Sequence, residues 1–226
     1  MKKEEFLMQV PLFQALRPED MKALFRSTRL REVKKNEVLF RKGSEGTALY
    51  IVKKGRIKIV LPSKVGDEVI LAIFSEGDFF GEMALLDGMP RSADAVALEP
   101  SELLVLDRTD FIHFLKNNEQ AIQAILFSLS MRLRKTDDLL EDTCFLNISA
   151  RFAKKLVELA ETYGQRDEGS TLIDLDLKQR DLASMIGATR ESVNKELRLL
   201  REKGLVSTVE NKIRIQNIDL LKRRIP

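Results

Sequence analysis

The sequence predicts an α+β chain in which a roll of short antiparallel strands is followed by one long helix and then by a small domain of helices with a hairpin. Three observations support this prediction. In the first half, short apolar segments alternate with polar positions, and glycines separate them at intervals of about ten residues, as turns between strands require. From residue 118 onward, the apolar period changes to that of a helix.

The predicted strands follow period-two alternation, which is typical of a sheet with one buried face. The alternation is clearest at Val38 and Phe40, at Ile57, Ile59 and Leu61, and at Leu104 and Leu106. The glycines that separate such segments are Gly43, Gly46, Gly55, Gly66, Gly77 and Gly88. A short helix is expected over residues 18–27, where Pro18 and two acidic residues occupy the first turn. Short strands at regular spacing predict an antiparallel, jelly-roll-like β-roll.

Composition argues against several classes of protein. The chain has 226 residues, 44% hydrophobic and 32% charged, and no apolar run approaches the roughly 18 residues of a membrane span. Residues 1–5 lack the features of a secretory signal, so we expect a cytoplasmic protein. Cys144, the single cysteine, rules out an intrachain disulfide and a multi-cysteine cluster, and His113, the single histidine, makes a histidine metal site or a Ser/His/Asp triad hard to build. We therefore expect no metal and no enzyme.

The net charge is only +3, but the cations are unevenly distributed. They cluster between Lys178 and Arg201 and again over Lys222–Arg224. Such clusters are typical of a nucleic-acid surface, and they are also typical of solvated helix faces. Charge alone leaves both interpretations open.

Residues 118–145 are predicted to form one long dimerisation helix. Its seam alternates steps of four and three residues: Ile122, Leu126, Leu129, Leu133, Thr136, Leu140 and Thr143. A seam this apolar needs a partner, and a second copy of the same helix is the simplest one. The alternative is that the helix packs on its own roll. We expect a homodimer, with residues 1–117 as the roll domain and residues 146–226 as the C-terminal domain.

Residues 80–93 combine groups that can hold an anion. Gly81 lets the backbone approach a ligand closely, and the residues after it can form a short helix whose first amides favour negative charge. Arg91 offers a planar, permanently charged fork for phosphate oxygens, and Ser92 adds a hydroxyl donor. Glu82 is a poor partner for phosphate, but it can accept from a ribose hydroxyl or steady Arg91. The alternative is an ion pair at the lip of the roll without any ligand.

The run Gly-Glu-Met-Ala-Leu from Gly81 and the run Pro-Arg-Ser-Ala up to Ala93 closely resemble the phosphate-binding cassette of cyclic-nucleotide-binding domains. The resemblance implies that Glu82 binds the ribose 2′-hydroxyl, and that Arg91, Ser92 and the Gly81 backbone bind the cyclic phosphate. The ligand-binding residues expected in this segment are Gly81, Glu82, Met83, Arg91, Ser92 and Ala93. The expected ligand is an allosteric nucleotide and not a metal or a covalent cofactor.

In the cyclic AMP receptor branch of this family, two hydroxyl residues of the long helix face the purine, one from each subunit. The resemblance places Thr136 and Asp137 at these positions. Asp137 departs from the usual serine, and its carboxylate can accept from the amino group of adenine or from the amino and ring N–H groups of guanine. The resemblance implies cyclic AMP as the effector, with cyclic GMP as the alternative. Thr136 also has a plainer interpretation, as a seam residue that sets the helix register.

The segment from Gln179 to Glu202 has the spacing of a helix-turn-helix. Apolar residues give each helix a buried side: Leu182, Met185 and Ile186 in the first, and Val193, Leu197 and Leu200 in the second. Gly187 can adopt the positive φ of the turn, and Thr189 can cap the second helix. Residues 205–215 predict a hairpin around Glu210 and Asn211, the wing of a winged helix-turn-helix.

Three further elements are predicted between the long helix and this segment. A helix follows Asn147, and one of its faces is apolar: Phe152, Leu156, Leu159 and Ala160. Residues 164–170 are expected to form a polar loop. Residues 172–177 are expected to form a strand.

The outward side of the second helix carries Arg190, Glu191, Asn194 and Lys195. Arg can bind guanine with two hydrogen bonds, Glu can accept from cytosine, and Lys can contact guanine or phosphate. For Glu191 and Lys195 the alternative is an exposed i,i+4 ion pair. The run Thr-Arg-Glu-Ser-Val from Thr189 strongly resembles the recognition helix of the cyclic AMP receptor and fumarate–nitrate regulator family.

This resemblance covers nearly the whole chain and implies an effector-gated, sequence-specific transcription regulator that binds double-stranded DNA at an inverted repeat. The expected DNA-binding residues are Lys178, Gln179, Arg180, Thr189, Arg190, Glu191, Asn194 and Lys195. Two residues depart from the family pattern: Lys195 stands where the cyclic AMP receptor branch has Arg, and Glu196 occupies a usually apolar position. The resemblance also implies contact with RNA polymerase, through the loop of residues 164–171.

Overall fold

The computed structural model of the chain describes residues 6–8, 10–13, 18–64, 66–167 and 169–225. The chain divides into two compact units, Met1–Leu133 and Arg134–Pro226. The division falls inside the long helix, and the domain limits expected from the sequence stay predictions. None of the helices in the described ranges combines the length and the apolar character that crossing a membrane requires.

The first unit is an antiparallel roll that follows a short helix, α1 (Pro18–Ser27), as the sequence predicts. The elements of the roll are β1 (Thr28–Val33), β2 (Val38–Phe40), β3 (Ala48–Lys54), β4 (Ile57–Pro62), β5 (Glu68–Phe74), β6 (Phe79–Phe80), α2 (Met83–Leu86), β7 (Asp94–Ala97) and β8 (Ser101–Asp107). The strands form two four-stranded sheets, of orders β1-β8-β3-β6 and β2-β7-β4-β5. All of their pairings are antiparallel, which confirms the predicted roll.

Strands β3 and β8 are buried on both faces of their sheet over most of their length. Successive side chains of a strand point to opposite faces, and here each face meets a different core. Tyr50 and Val105 face the core between the two sheets, whereas Leu49 and Leu104 face the core that the helices cover. The half-buried alternation predicted at Leu104 and Leu106 is therefore wrong, because Val105 between them is apolar and buried as well.

Two helices follow the roll, α3 (Arg108–Lys116) and α4 (Glu119–Phe145). Ala121 and Ile125 of α4 are buried in the helix-covered core, and Leu129 packs against that core. One face of α4 therefore packs on its own roll, and Leu129 is the member of the predicted seam that takes part in this packing. The other large apolar residues of the seam are exposed in the single chain: Ile122, Leu126, Leu133 and Leu140.

The second unit contains the end of α4 and the helix α5 (Ile148–Tyr163). Asn147 caps α5 by accepting a hydrogen bond from the Ala150 amide at 2.9 Å. Lys154 of α5 donates to the Asp142 carboxylate of α4 at 2.7 Å, and this hydrogen bond raises the pKa of Lys154. The apolar face predicted for α5 is confirmed as buried: Phe152, Leu156, Leu159 and Ala160.

The polar segment after α5 is a hairpin, so the loop predicted there is wrong. The second unit contains a sheet of order β11-β12-β10-β9, built from β9 (Gly164–Asp167), β10 (Ser170–Ile173), β11 (Val206–Val209) and β12 (Lys212–Ile215). β9 lies at the edge of this sheet and pairs with β10. An edge strand can be polar throughout, so alternation gives no signal for it. The strand predicted over residues 172–177 is also wrong in extent, because β10 ends at Ile173.

The predicted helix-turn-helix is confirmed as α6 (Gln179–Ile186) and α7 (Arg190–Glu202). Gly187 adopts the left-handed conformation, with φ 59° and ψ 45°. Glycine takes this conformation without a steric penalty, so it can end α6 and make the turn.

The predicted wing is also confirmed, since β11 and β12 pair as a hairpin. Its tip is formed by Glu210 and Asn211, whose φ angles are 48° and 65°. Positive φ at both central residues is typical of a type I′ turn, which matches the twist of the flanking strands. One last helix, α8 (Ile218–Lys222), has no counterpart among the predicted elements, and its Leu221 is fully buried.

Candidate functional site

The cassette of residues 80–93 folds so that Arg91 is buried in the roll, with only 4% of the residue exposed. Its Nη1 donates to the Gly81 carbonyl at 2.6 Å, and its Nη2 donates to the Ala48 carbonyl at 2.8 Å. The guanidinium lies over the Phe40 ring, 4.2 Å from the ring centroid. Two carbonyls and one aromatic ring therefore fix the orientation of this cation.

Arg91 retains its charge, and its Nε–H is an unused donor. Burial lowers the pKa of Arg91 from its ordinary value, and the neighbouring Tyr50 and Glu82 act in the opposite direction. A guanidinium stays protonated at neutral pH, so the side chain is a buried cation. Its Nε is buried and has no hydrogen-bond partner among the described residues. This N–H can donate to an anion.

Glu82 stands at the N-cap of α2 and is also buried, with 1% of the residue exposed. Its Oε1 accepts a hydrogen bond from Nη1 of Arg132 at 2.6 Å. Its Oε2 is buried and, within the described part of the chain, has no hydrogen-bond partner. The sequence analysis left open that Glu82 forms an ion pair with Arg91. In the structure, the salt bridge of Glu82 is with Arg132. Oε2 can accept from a hydroxyl group.

Arg132 is a site residue that the sequence analysis did not assign. Its Nη2 donates to the Phe79 carbonyl, and its guanidinium lies 4.6 Å from the Phe74 ring centroid and 5.2 Å from that of Phe79. Arg132 follows Ile125 by one heptad and therefore lies on the face of α4 that packs on the roll. This spacing is the signal that could have found it.

A row of aromatic rings lies between the two arginines. The Phe80 centroid is 6.0 Å from that of Phe40 and 5.7 Å from that of Phe74. Arg91 lies over Phe40 at one end of the row, and Arg132 lies over Phe74 at the other. Ring faces attract cations without using their N–H groups. The row therefore orients both guanidinium groups within one packed core.

The other predicted ligand residues differ in their burial. Ala93 is buried, whereas Met83 and Ser92 are exposed, with Ser92 Oγ 3.8 Å from Met83 Sδ. The cassette thus has a buried part and an exposed rim. Thr136 and Asp137 belong to the second unit and are exposed on α4.

The apolar residues of α7 determine which of its side chains face solvent. Its buried residues are Val193, Leu197 and Leu200. Thr189 caps the helix by accepting a hydrogen bond from the Ser192 amide at 3.2 Å. Of the DNA-binding residues predicted on α7, Asn194 is half-buried and the others are exposed: Arg190, Glu191 and Lys195. This helix therefore presents most of its predicted contact residues to solvent.

A cavity of about 540 Å³ is formed by residues of α6, α7 and the wing. It brings together half of the predicted DNA-binding residues: Lys178, Gln179, Arg180 and Arg190. The lining of the cavity does not include the other half: Thr189, Glu191, Asn194 and Lys195.

The lining of this cavity also contains residues that the sequence analysis missed: Arg201, Thr208 and Asn211. Arg201 Nη2 donates to Thr208 Oγ1 at 2.6 Å. Arg201 follows Arg190 by about three helical turns, so the two lie on one face of α7. This spacing is the signal that could have found Arg201, but only the fold shows that the same face meets the wing.

Comparison with known proteins identifies both halves of the chain. A family model of the cyclic nucleotide-binding domain matches residues 30–118, and a model of the Crp-like helix-turn-helix domain matches residues 150–224. The chain belongs to the CRP/FNR family of transcription regulators. The predicted family and fold class are thereby confirmed. Since a cyclic nucleotide-binding domain is followed by a DNA-binding domain, this CRP/FNR protein is an effector-gated transcription regulator, as the sequence predicts.

Relatives of this CRP/FNR protein match it over nearly its whole length. It is 29% identical over 221 residues to the CRP-like cAMP-activated global transcriptional regulator of Mycobacterium tuberculosis, which covers 98% of this chain and 99% of the relative. It is 31% identical to the cyclic AMP receptor protein of Thermus thermophilus, with 94% of this chain and 95% of the relative covered. The structure of the c-di-GMP responsive regulator CLP of Xanthomonas campestris superposes with a TM-score of 0.79 at 21% identity, covering 88% of this chain and 99% of that one, and shows the shared fold.

Replacing Gly81 with Ala is expected to lower the free energy of unfolding of this CRP/FNR protein by more than the same change at Gly77. Both glycines have positive φ, 86° and 87°, and this backbone conformation costs an alanine about 1–3 kcal/mol. A Cβ on Gly81 would additionally lie 2.6 Å from Nη1 of Arg91, whereas no described atom lies within 4 Å of a Cβ on Gly77. Denaturant unfolding measures both losses, and equal losses would contradict the close contact between Arg91 and Gly81.

Proposed function

We propose that this regulator binds cyclic AMP in the buried part of its cassette and that the bound nucleotide controls DNA binding. The observation that carries the proposal is a pair of buried polar atoms, Glu82 Oε2 and Arg91 Nε, which have no hydrogen-bond partner among the described residues. An unsatisfied buried polar group costs about 1–3 kcal/mol. A ligand that offers a hydroxyl group and an anion satisfies the acceptor and the donor together, and a cyclic nucleotide offers both.

The cyclic phosphate is assigned to Arg91. A guanidinium presents its N–H groups in a planar fork that matches phosphate oxygens. Its contacts with two carbonyls and with Phe40 hold the fork in one orientation, so little side-chain freedom is lost when an anion binds. Ser92, at the exposed rim, is assigned as a further donor. The backbones of Gly81 and Ala93 complete the proposed phosphate site, and Met83 borders it.

The ribose 2′-hydroxyl is assigned to Glu82. Arg132 holds Oε1 at 2.6 Å, so the direction of Oε2 is determined before a ligand binds. A carboxylate repels a phosphate but accepts readily from a hydroxyl, which places Glu82 on the sugar side of the nucleotide. Because Arg132 belongs to α4, the proposed ribose contact is one hydrogen bond away from the long helix.

Replacing Arg91 with Leu is expected to weaken the binding of cyclic AMP by at least about 1.5–3 kcal/mol, because a charge-assisted hydrogen bond to phosphate is lost. Isothermal titration calorimetry measures the dissociation constant. The matched control is Arg41→Leu, which removes an exposed cation at the end of β2 and should keep the wild-type affinity. Wild-type affinity in a folded Arg91→Leu protein would show that the phosphate binds elsewhere.

Recognition of the base is assigned to Thr136 and Asp137 of α4. The threonine hydroxyl can donate and accept, whereas the carboxylate only accepts. Adenine offers one amino group that both residues can share. Guanine offers an adjacent pair of N–H groups that both oxygens of a carboxylate can hold. The relatives named for cyclic AMP favour adenine, and cyclic GMP is the alternative.

Replacing Asp137 with Ser is expected to retain the binding of cyclic AMP and to weaken any binding of cyclic GMP, because the two-oxygen acceptor is removed. The measured quantity is the ratio of the two dissociation constants. Asp138→Ser is the matched control, since Asp138 is the next residue and is also exposed. An Asp137→Ser ratio identical to that of wild type would place base recognition elsewhere.

We also propose that two copies pair through the seam of α4. Its exposed apolar residues form a stripe of the kind that a second helix buries in a coiled coil. The proposed interface residues are Ile122, Leu126, Leu129, Leu133, Thr136 and Leu140. A two-fold symmetric dimer presents two recognition helices, so it fits an inverted repeat with half-site centres about 10 base pairs apart.

The exposed residues at the start of α7 are assigned to the bases. Arg190 is proposed to bind guanine with two hydrogen bonds, Glu191 to accept from cytosine, and Lys195 to contact guanine or phosphate. The remaining residues of the proposed DNA surface are Lys178, Gln179, Arg180, Thr189 and Asn194.

Replacing Arg190 with Ala is expected to cost about 1–3 kcal/mol of binding to a selected inverted repeat and to relax the preference at one guanine. Fluorescence anisotropy with the selected duplex and with random-sequence DNA measures both effects. If the variant lost affinity equally on random DNA, Arg190 would be a phosphate contact and not a base contact.

Further assignments rest on the family and the sequence. Contact with RNA polymerase is proposed through residues 164–171, which include β9 and the start of β10. The proposed domains are the roll (1–117), the dimerisation helix (118–145) and the DNA-binding domain (146–226). The protein is proposed to act in the cytoplasm and to have no catalytic activity.

A further inference from the structure

The cavity formed by residues of α6, α7 and the wing has a strong excess of positive charge. Four cations line it, Lys178, Arg180, Arg190 and Arg201, together with a single carboxylate, that of Asp176. Like charges in one cavity repel one another, and an anion relieves that repulsion.

Arg201 connects the recognition helix to the wing. It lies in the last turn of α7, and its Nη2 donates to Oγ1 of Thr208 in β11 at 2.6 Å. A guanidinium has five N–H donors, and within the described residues this is the one side-chain hydrogen bond that Arg201 makes. Thr208 of the wing therefore orients the guanidinium of Arg201, and other N–H groups of that guanidinium can donate to a ligand.

We propose that this cavity binds a backbone phosphate of DNA and that Arg201, oriented by Thr208, is one of the groups that hold it. The proposal rests on the DNA-binding function and adds a residue and a subsite to it. A phosphate only accepts hydrogen bonds, and Lys and Arg side chains only donate them. Arg190 is assigned to guanine, so the other three cations of the lining, Lys178, Arg180 and Arg201, are the groups assigned to a phosphate.

Arg198 provides a matched control on the same helix. It is an exposed arginine that pairs with Glu202 at 3.3 Å, and it does not line the cavity. Arg198→Gln and Arg201→Gln each remove one positive charge from α7. A difference in DNA binding between the two variants therefore reflects the position of the arginine and not the change in net charge.

The test measures DNA binding by the full chain over a series of salt concentrations. One duplex is selected from a random library by the wild-type protein with cyclic AMP, and a second duplex has a random sequence. Each phosphate contact contributes about 0.9 to the slope of log K against log salt concentration. Arg201→Gln should lower the magnitude of that slope by about 0.9 per bound subunit and weaken binding to both duplexes by the same factor. Arg198→Gln should keep the wild-type slope.

The outcomes separate this inference from the DNA-binding function itself. Equal slopes for Arg201→Gln and Arg198→Gln would overturn the phosphate site. A loss confined to the selected duplex would overturn it too, because it would identify Arg201 as a base contact. A wild-type protein that selected no duplex from the library and did not bind random-sequence DNA would overturn the DNA-binding function on which the inference rests.

Thr208→Val tests the positioning of Arg201. This change removes the hydroxyl that accepts from Arg201 but keeps the branched shape and every charge. It should weaken binding to both duplexes by a smaller factor than Arg201→Gln does, without changing sequence preference. Wild-type affinity in the Thr208→Val protein would overturn the positioning role. Thermal unfolding of each variant verifies that the fold is retained.

Discussion

The proposed ligand site depends on the burial of two opposite charges that do not share a salt bridge in the structure. Arg91 is held by two carbonyls and the Phe40 ring, and Glu82 is held by Arg132. Each keeps one buried polar atom without a partner among the described residues. Buried charges are stable only when polar contacts compensate for their lost hydration. The fold of the roll therefore favours a ligand with an anionic part and a hydroxyl part.

The long helix α4 supplies one of the side chains that hold the two buried charges. Arg132 contacts Glu82 through its guanidinium, and it lies on the face of α4 that also contributes Ile125 to the core. A contact that changes the hydrogen bonding of Glu82 thus acts directly on a side chain of α4. The aromatic row between Arg91 and Arg132 adds to this connection, because closely packed rings cannot shift independently. The proposed binding at the cassette would therefore act on α4 through one small set of side chains.

In the second unit, the proposed DNA surface depends on the local clustering of cations and not on the net charge of the chain. The whole chain carries only +3, yet four cations line one cavity beside the recognition helix. The apolar residues of α7 produce this arrangement, because burying one side of the helix leaves its polar side exposed. Arg201 then joins that polar side to the wing through Thr208. The DNA surface proposed here is therefore a product of helix packing as much as of composition.

Local patterns were sufficient to predict most elements of the fold, since periodicity and turn chemistry are encoded by neighbouring residues. The left-handed Gly187, the hairpin tip at Glu210 and the buried face of α5 follow directly from them. β9 was missed because a polar edge strand has no apolar period. Its pairing with β10, which identifies it as a strand, is visible in the folded structure and not in the local sequence.

The cassette residues could be named from the sequence, but only the tertiary structure decided their partners. Glu82 meets Arg132, 50 residues away in the chain, and not the nearby Arg91. Arg201 meets Thr208 because α7 and the wing pack together. A local pattern determines which groups are present and which face of an element they occupy. Which distant group each one contacts depends on how the elements pack against one another. A short stretch of sequence holds no information on this packing, because the partners lie far apart along the chain.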